Sequence, residues 1–242
     1  MKRPTFANGE IYHVYNRGVE KREVFMENKD YFRFIHDLYE FNDTRPAPAS
    51  NTRFSIDRPS QLNAADIQQS LEVGHPKFGT RKLLVHLLAF CLMPNHYHLL
   101  VRQINEGGVS KFMQKIGTGY TNYFNEKNKR VGPLFQGKFK AVHIATEAHF
   151  IHIPHYIHLN PLDLIEPAWR DSILKNSPRA MKYLQAYRWS SFPDYIGERN
   201  FPSVTQREFL LDFFKSSAAY KRNTWRVLRE MTIEDLADLI IE

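Results

Sequence analysis

Met93-Pro94-Asn95-His96-Tyr97-His98-Leu99-Leu100-Val101 is the stretch on which the fold turns. Pro94-Asn95 is a turn pair, and the residues after it form a strand-like run in which one residue separates two histidines. Leu83 to Leu92, just before the turn, is an apolar run interrupted by His86. The two runs therefore read as a hairpin with a tight connection. Side chains alternate across a sheet, so His96 and His98 share one face while Tyr97, Leu99 and Val101 go to the other. Two imidazoles side by side suggest a metal site. The spacing is weak on its own, because a chain with eleven histidines contains one such pair by accident about as often as not.

Working outward, Gly9 to Gly18 alternates Ile11, His13 and Tyr15 against Tyr12, Val14 and Asn16, which predicts a strand. A helix is expected from about Lys29 to Phe41, where Tyr31, Phe34, Ile35, Leu38 and Phe41 recur at helical spacing. Residues 43–80 have the proline- and serine-punctuated composition of a flexible, exposed insertion. After the hairpin, Val109, Phe112, Met113, Ile116, Tyr120, Tyr123 and Phe124 trace a second helical stripe, weakened by Gly117 and Gly119. Gln136 to Ala145 alternates again as a strand. Thr146 can cap a last helix through Leu159, stopped by Asn160-Pro161 and interrupted by Pro154, which predicts a kink before Tyr156.

The order strand, helix, strand, strand, helix, strand, then helix is that of an α+β ferredoxin-like split βαββαβ core with an antiparallel sheet. In that topology the first and third strands are central, which puts His96 and His98 on a well-supported strand. Residues 1–161 form this core, and 162–242 read as a helical C-terminal extension with the aromatic cluster Tyr187-Arg-Trp-Ser-Ser-Phe192. Contacting DNA and buttressing the core are both open roles for the extension.

Composition narrows the partners. At 242 residues and 43% hydrophobic the chain can bury a large core. Its net charge of +7, with 12 tyrosines, 18 phenylalanines and 3 tryptophans, favours a polyanion, basic groups meeting phosphates and aromatic rings stacking unpaired bases. Arg17, Lys138 and Lys140 are candidate DNA contacts, although each also suits a solvated basic surface. The single cysteine, Cys91, rules out an internal disulfide and fits a reducing, cytoplasmic setting. No run approaches the ~20 apolar residues needed to span a bilayer, so no membrane partner is expected.

Helical spacing in Tyr156-Ile-His-Leu-Asn160 puts Tyr156 and Asn160 one turn apart on the same face. A phenol can attack phosphorus, and a carboxamide oxygen can add a hard ligand to two imidazoles. Such a mixed set suits Mg²⁺ or Mn²⁺ acting on a phosphodiester better than zinc, which would want a third strong ligand. With an ordinary phenol pKa of ~10, a nucleophilic tyrosine has to recover about 4 kcal/mol through positioning and neighbouring charge. Tyr120 and Tyr123 compete as nucleophiles, but their spacing fits a core stripe. The histidines at 149, 152, 155 and 158 drift around the helix and read as solvated or locally bonded rather than as a second metal site.

Gly9-Glu-Ile-Tyr-His-Val-Tyr-Asn-Arg-Gly18, Met93 to Val101, Gly132-Pro-Leu-Phe-Gln-Gly-Lys-Phe-Lys140, Tyr156 to Pro161 and Tyr187 to Phe192 together resemble the ordered landmarks of the single-tyrosine HUH transposases (IS200-like), in particular the REP-associated tyrosine transposases. The resemblance implies that His96 and His98 are the metal ligands, with Asn160 helping to complete the site, and that Tyr156 is the nucleophile. It further implies cleavage of single-stranded DNA next to a hairpin, through a 5′-phosphotyrosine link and without a nucleotide cofactor, by a monomer or homodimer. Two alternatives share these residues: a domesticated protein that binds hairpin DNA or RNA without cutting it, and a replication-initiator nuclease of the same chemistry. A histidine-triad hydrolase is excluded, because Leu100 stands where a third alternating histidine would be needed.

Overall fold

The computed structural model describes residues 4–46, 81–170 and 177–230. The expected insertion at 43–80 lies outside them from residue 47 onward, as does 231–242. Strand β1 (Ile11–Arg17) is followed by helix α1 (Asn28–Glu40), the hairpin β2 (Val85–Met93) and β3 (His96–Gln103), helix α2 (Gly108–Lys127), β4 (Lys140–His143) and helix α3 (Glu147–Leu159). The sheet is antiparallel with strand order β2-β3-β1-β4. This is the split βαββαβ arrangement, with β1 and β3 central.

The two sheet faces have different owners. Tyr97, Leu99 and Val101 face α1 and α2, where Phe34 packs against Tyr97 at 5.0 Å and Tyr120 at 4.9 Å between ring centroids. Gly119 allows the two helices to close, because a Cβ there would lie 2.4 Å from the Phe41 ring. Tyr120 and Tyr123 are spent on structure: their hydroxyls donate to Val24 O at 2.6 Å and Asp30 Oδ1 at 3.0 Å. The opposite face, carrying His96 and His98, is covered by α3. Thr146 Oγ1 caps that helix by accepting from His149 N. The helix is continuous through Pro154 and does not restart before Tyr156.

Strand β4 is shorter than the alternation predicts. Gly137 adopts a left-handed φ of +72°, which turns the chain, and regular pairing starts only at Lys140. Asn16 holds this turn by donating to Gly137 O at 3.2 Å. Lys138 therefore lies in the turn, outside the paired strand that carries Lys140.

Beyond Leu159, a 3₁₀ segment (Asn160–Leu164) leads to α4 (Ser177–Ala186), the short α5 (Phe192–Tyr195), α6 (Glu208–Phe214) and α7 (Ser217–Glu230). This region satisfies the outer edge of β2. Leu92 N donates to Trp189 O at 2.9 Å, Ser191 N to Phe90 O at 3.0 Å, and Phe90 N to Ser191 Oγ at 2.9 Å. Tyr187 donates to Leu92 O at 2.7 Å, Tyr195 to Leu88 O, and Gln206 bonds Leu87 through both its backbone N and its Oε1. An edge strand with unpaired backbone groups invites association, and here its outward groups are taken.

Candidate active site

The β1–β3 register places Tyr15 opposite His98 and Arg17 opposite His96, so these four residues and His13 share one face. His96 and His98 stand with ring centroids 5.0 Å apart at 86°. Tyr156 comes down from α3 edge-on to both His98 at 5.7 Å and His13 at 5.9 Å. The structure therefore gathers His96, His98 and Tyr156 from two elements, with residues up to 60 positions apart in sequence. Tyr156 is enclosed, with 1% of its surface exposed, and His96 forms the more open rim of the group.

Both histidines have their Nδ1 atoms held. His96 Nδ1 lies 2.6 Å from Asn95 Oδ1. The Asn95 amide nitrogen donates to Lys21 O at 3.2 Å, which fixes its oxygen toward the ring. An amide oxygen only accepts, so His96 carries its proton on Nδ1 and its lone pair on Nε2. His98 Nδ1 lies 2.9 Å from His13 Nε2. Burial first, and nearby His149 second, push the His13 imidazole down to about 3, so His13 is neutral at pH 7. When His98 donates in this bond, its lone pair also sits on Nε2. An outer partner that holds a ligating imidazole is the usual support of a metal site; Asn95 fixes the tautomer of His96, and His13 holds the His98 ring.

Asn160 is fully buried at the end of α3, where its Nδ2 donates to Tyr156 O at 2.8 Å. An amide committed through nitrogen has only its oxygen to offer a cation. Among the described residues no three His, Cys, Asp or Glu side chains gather as a metal site, so the donors at hand for an ion are the two imidazoles and the oxygen of the Asn160 amide one turn beyond Tyr156. That donor chemistry fits the mixed nitrogen and oxygen set expected for Mg²⁺ or Mn²⁺.

Of the three basic candidates, Lys140 lies on the histidine face with Nζ 5.6 Å over the Tyr15 ring, and Arg17 ends β1 opposite His96. Lys138 precedes the regular pairing of β4 and is exposed in the turn after Gly137, so the strand register does not place it on this face. His13 is the residue that motif reading passed over. The signal was present in the alternation of Ile11, His13 and Tyr15, but it needed the β1–β3 pairing to show which face they share.

The histidines at 155 and 158 are locally bonded rather than solvated. His155 Nδ1 lies 3.0 Å from Thr224 Oγ1, and His158 bridges the Tyr220 hydroxyl at 2.7 Å and Ser191 Oγ at 2.8 Å. Desolvation holds both well below the ordinary histidine range.

Taken together, a split antiparallel sheet whose central strand carries a His-x-His pair under a helix-borne tyrosine defines the class of domain. Residues 62–160, which include both histidines, Tyr156 and Asn160, match the family model described as "Transposase IS200 like". Among solved structures the chain is similar to one described as "Structure of the REP associates tyrosine transposase bound to a REP hairpin", at 12% identity and a TM-score of 0.47, over 84% of this chain and 88% of that one. No curated protein matches the sequence. Among the described residues no helix is long and apolar enough to cross a membrane.

Proposed function

We propose that the chain is a divalent-metal-dependent single-stranded DNA endonuclease and strand transferase that cuts beside a hairpin. The observation that carries this reading is the convergence of Tyr156 on His98 and His13 while both metal-facing histidines have their Nδ1 atoms held. His96, His98 and the Asn160 oxygen would hold Mg²⁺ or Mn²⁺, which when bound polarises the scissile phosphate.

Tyr156 Oη, on losing its proton, attacks phosphorus; the bond from phosphorus to the 3′ oxygen breaks, and that oxygen leaves as a 3′-hydroxyl after taking up a proton. The product is a 5′-phosphotyrosine. A 3′-hydroxyl attacking the same phosphorus reverses the exchange and joins strands, so no nucleotide is consumed. Arg17 and Lys140 supply positive charge on this face for the phosphates flanking the cut.

The test is a covalent adduct on a denaturing gel after incubation with single-stranded hairpin oligonucleotides, with and without Mg²⁺ or Mn²⁺. Tyr156→Phe should abolish the adduct and leave binding largely intact; an undiminished adduct would sink the assignment. The enclosure of Tyr156 favours a second reading, a protein that binds hairpin DNA or RNA without cutting it. Metal-independent binding with no adduct on any hairpin would select that one.

A further inference from the structure

The segment between β1 and α1 folds over the turn that precedes His96. Gly18 N donates to Asn95 O at 2.8 Å, and Val24 N and Phe25 N both donate to Pro94 O, at 2.8 and 3.0 Å. Inside this wrap Glu20 and Lys21 stand in the left-handed region, at φ 57° and 60°. Two successive non-glycine residues there are uncommon, and such conformations persist only where the surroundings hold them. The holding contacts are local: Lys21 N donates to Gly18 O at 3.0 Å, Arg22 N to Val19 O at 3.1 Å, and the Arg22 guanidinium to Glu20 Oε2 at 2.9 Å. Gly18 permits the wrap, since a Cβ there would lie 2.3 Å from Arg22 O. Lys21 O thereby faces the Asn95 side chain and accepts from its Nδ2 at 3.2 Å.

We propose that this loop is the template for His96: the Lys21 carbonyl sets which way the Asn95 amide faces, and Asn95 is the positioning residue that puts the His96 lone pair on Nε2, the atom offered to the metal. The proposal rests on the metal site of the function given above. Two neutral arrangements compete at the ring. An asparagine turned end for end would present its NH₂ to Nδ1 and would favour the proton on Nε2, the tautomer that free histidine itself prefers, which closes the coordinating atom. Neither the imidazole nor the amide chooses between them. The Lys21 carbonyl does, because its oxygen only accepts and so turns the amide nitrogen toward itself and the amide oxygen, 2.6 Å from Nδ1, toward the ring. The partner of His98 is another imidazole, which can donate or accept, so geometry dictates the tautomer at His96 and not at His98. A loop that contributes no ligand thus decides which nitrogen of a ligand is available.

The test reads the tautomer in the metal-free chain, from the NMR shifts of the histidine ring nitrogens at pH ~8.5, above the ordinary histidine range, with His96 assigned by comparison with His96→Gln. Wild type should carry the His96 proton on Nδ1. Asn95→Ala should return it toward the Nε2-protonated form and weaken Mn²⁺ binding about ten- to a hundredfold, measured by the spin signal of the free ion. Asn95→Asp keeps an acceptor on Nδ1 and should keep the proton there, a rescue that a merely structural role would not give. Lys21→Val and Lys21→Gly remove the same exposed side chain, but of the two only glycine readily accepts the left-handed backbone. Valine should therefore shift the tautomer and glycine should preserve it.

A wild-type His96 protonated on Nε2, or an unchanged tautomer in Asn95→Ala, overturns the proposal. So does Mn²⁺ binding that stays the same while the tautomer shifts, and a tautomer indifferent to Lys21→Val shows that the loop does not set it. Failure of the wild type to bind Mn²⁺ removes the metal site from the proposed function, while the hold of the loop on His96 is still decided by the ring shifts.

Discussion

Replacing His155 by glutamine is expected to change how stability depends on pH. The imidazole is buried between the Tyr220 ring, stacked at 4.7 Å, and the Phe214 ring, edge-on at 5.2 Å. Thr224 spends its hydroxyl proton on Tyr220 O, so its Oγ1 accepts from His155 Nδ1–H and the histidine is neutral in the folded chain. Burial first, then His152 and Arg226, lower the group to about 3. In the unfolded chain the same group titrates near ~6.5. Above that value neither state binds a proton there and the residue adds no pH dependence. As pH falls below it the unfolded chain takes up a proton that the folded chain refuses, and stability is lost until the folded value is passed. At pH ~5 this amounts to about 2 kcal/mol. Glutamine can donate to Thr224 but cannot titrate, so urea denaturation at pH ~7.5 and ~5 should show wild type losing about 2 kcal/mol more than His155→Gln. Titration of the other buried histidines, His13 and His158, is common to both proteins and cancels. Equal losses in the two proteins would refute the burial of a neutral His155.

Three further outcomes follow from the contacts. His13→Ala removes the outer partner of His98 and should weaken Mn²⁺ binding about ten- to a hundredfold, read by the spin signal of the free ion without any activity assay; unchanged binding would mean that His98 needs no positioning. Ser191→Ala leaves the Phe90 amide and His158 Nε2 without their shared oxygen and should cost about 1–3 kcal/mol in urea denaturation, and a neutral result would show that the β2 edge is held elsewhere. Within one helix, Gly117→Ala should stabilise by about 1 kcal/mol while Gly119→Ala destabilises, because only the second Cβ meets the Phe41 ring; thermal shifts of the same sign would contradict the packing of α1 on α2.

The parts of the fold visible in the sequence were those governed by local periodicity. Alternation in β1 and β3, the Pro94-Asn95 turn and the stripes of α1 and α2 specify the split sheet, and the His-x-His spacing specifies which residues share a face. The start of β4 was set too early because the alternation of Gln136 to Ala145 continues through Gly137, and only the left-handed φ there shows that the strand has not yet begun. His13 went unassigned for a different reason: its bond to His98 crosses between strands 85 positions apart in sequence, and no local pattern carries a register. The drifting histidines of α3 posed a similar problem. Their partners Thr224, Tyr220 and Ser191 lie in a region whose docking is set by burial of aromatic surface rather than by any short motif.

That docking bears on the site itself. Helix α3 presents Tyr156 to the sheet and, on its other side, His155 and His158 to α7 and to the segment before α5. Ser191 bonds both Phe90 on the sheet edge and His158 on the helix, and its neighbour Ser190 bridges Cys91, the residue paired with His98. One short segment therefore ties the strand pair carrying the histidines to the helix carrying the phenol, and the distance from Tyr156 to His98 is set from both ends. Reactions that depend on near-attack geometry lose about a hundredfold for a displacement of ~1 Å, so a joint of this kind is as much a part of the site as the ligands. It also bears on access. Tyr156 is enclosed while the joint is made, so the cleavage proposed above would require α3 to yield against the bonds that His155 and His158 hold, or the phosphate to enter from the more open His96 side. The residues after Leu159 thus bear on the chemistry through the placement of one helix, whether or not they touch DNA.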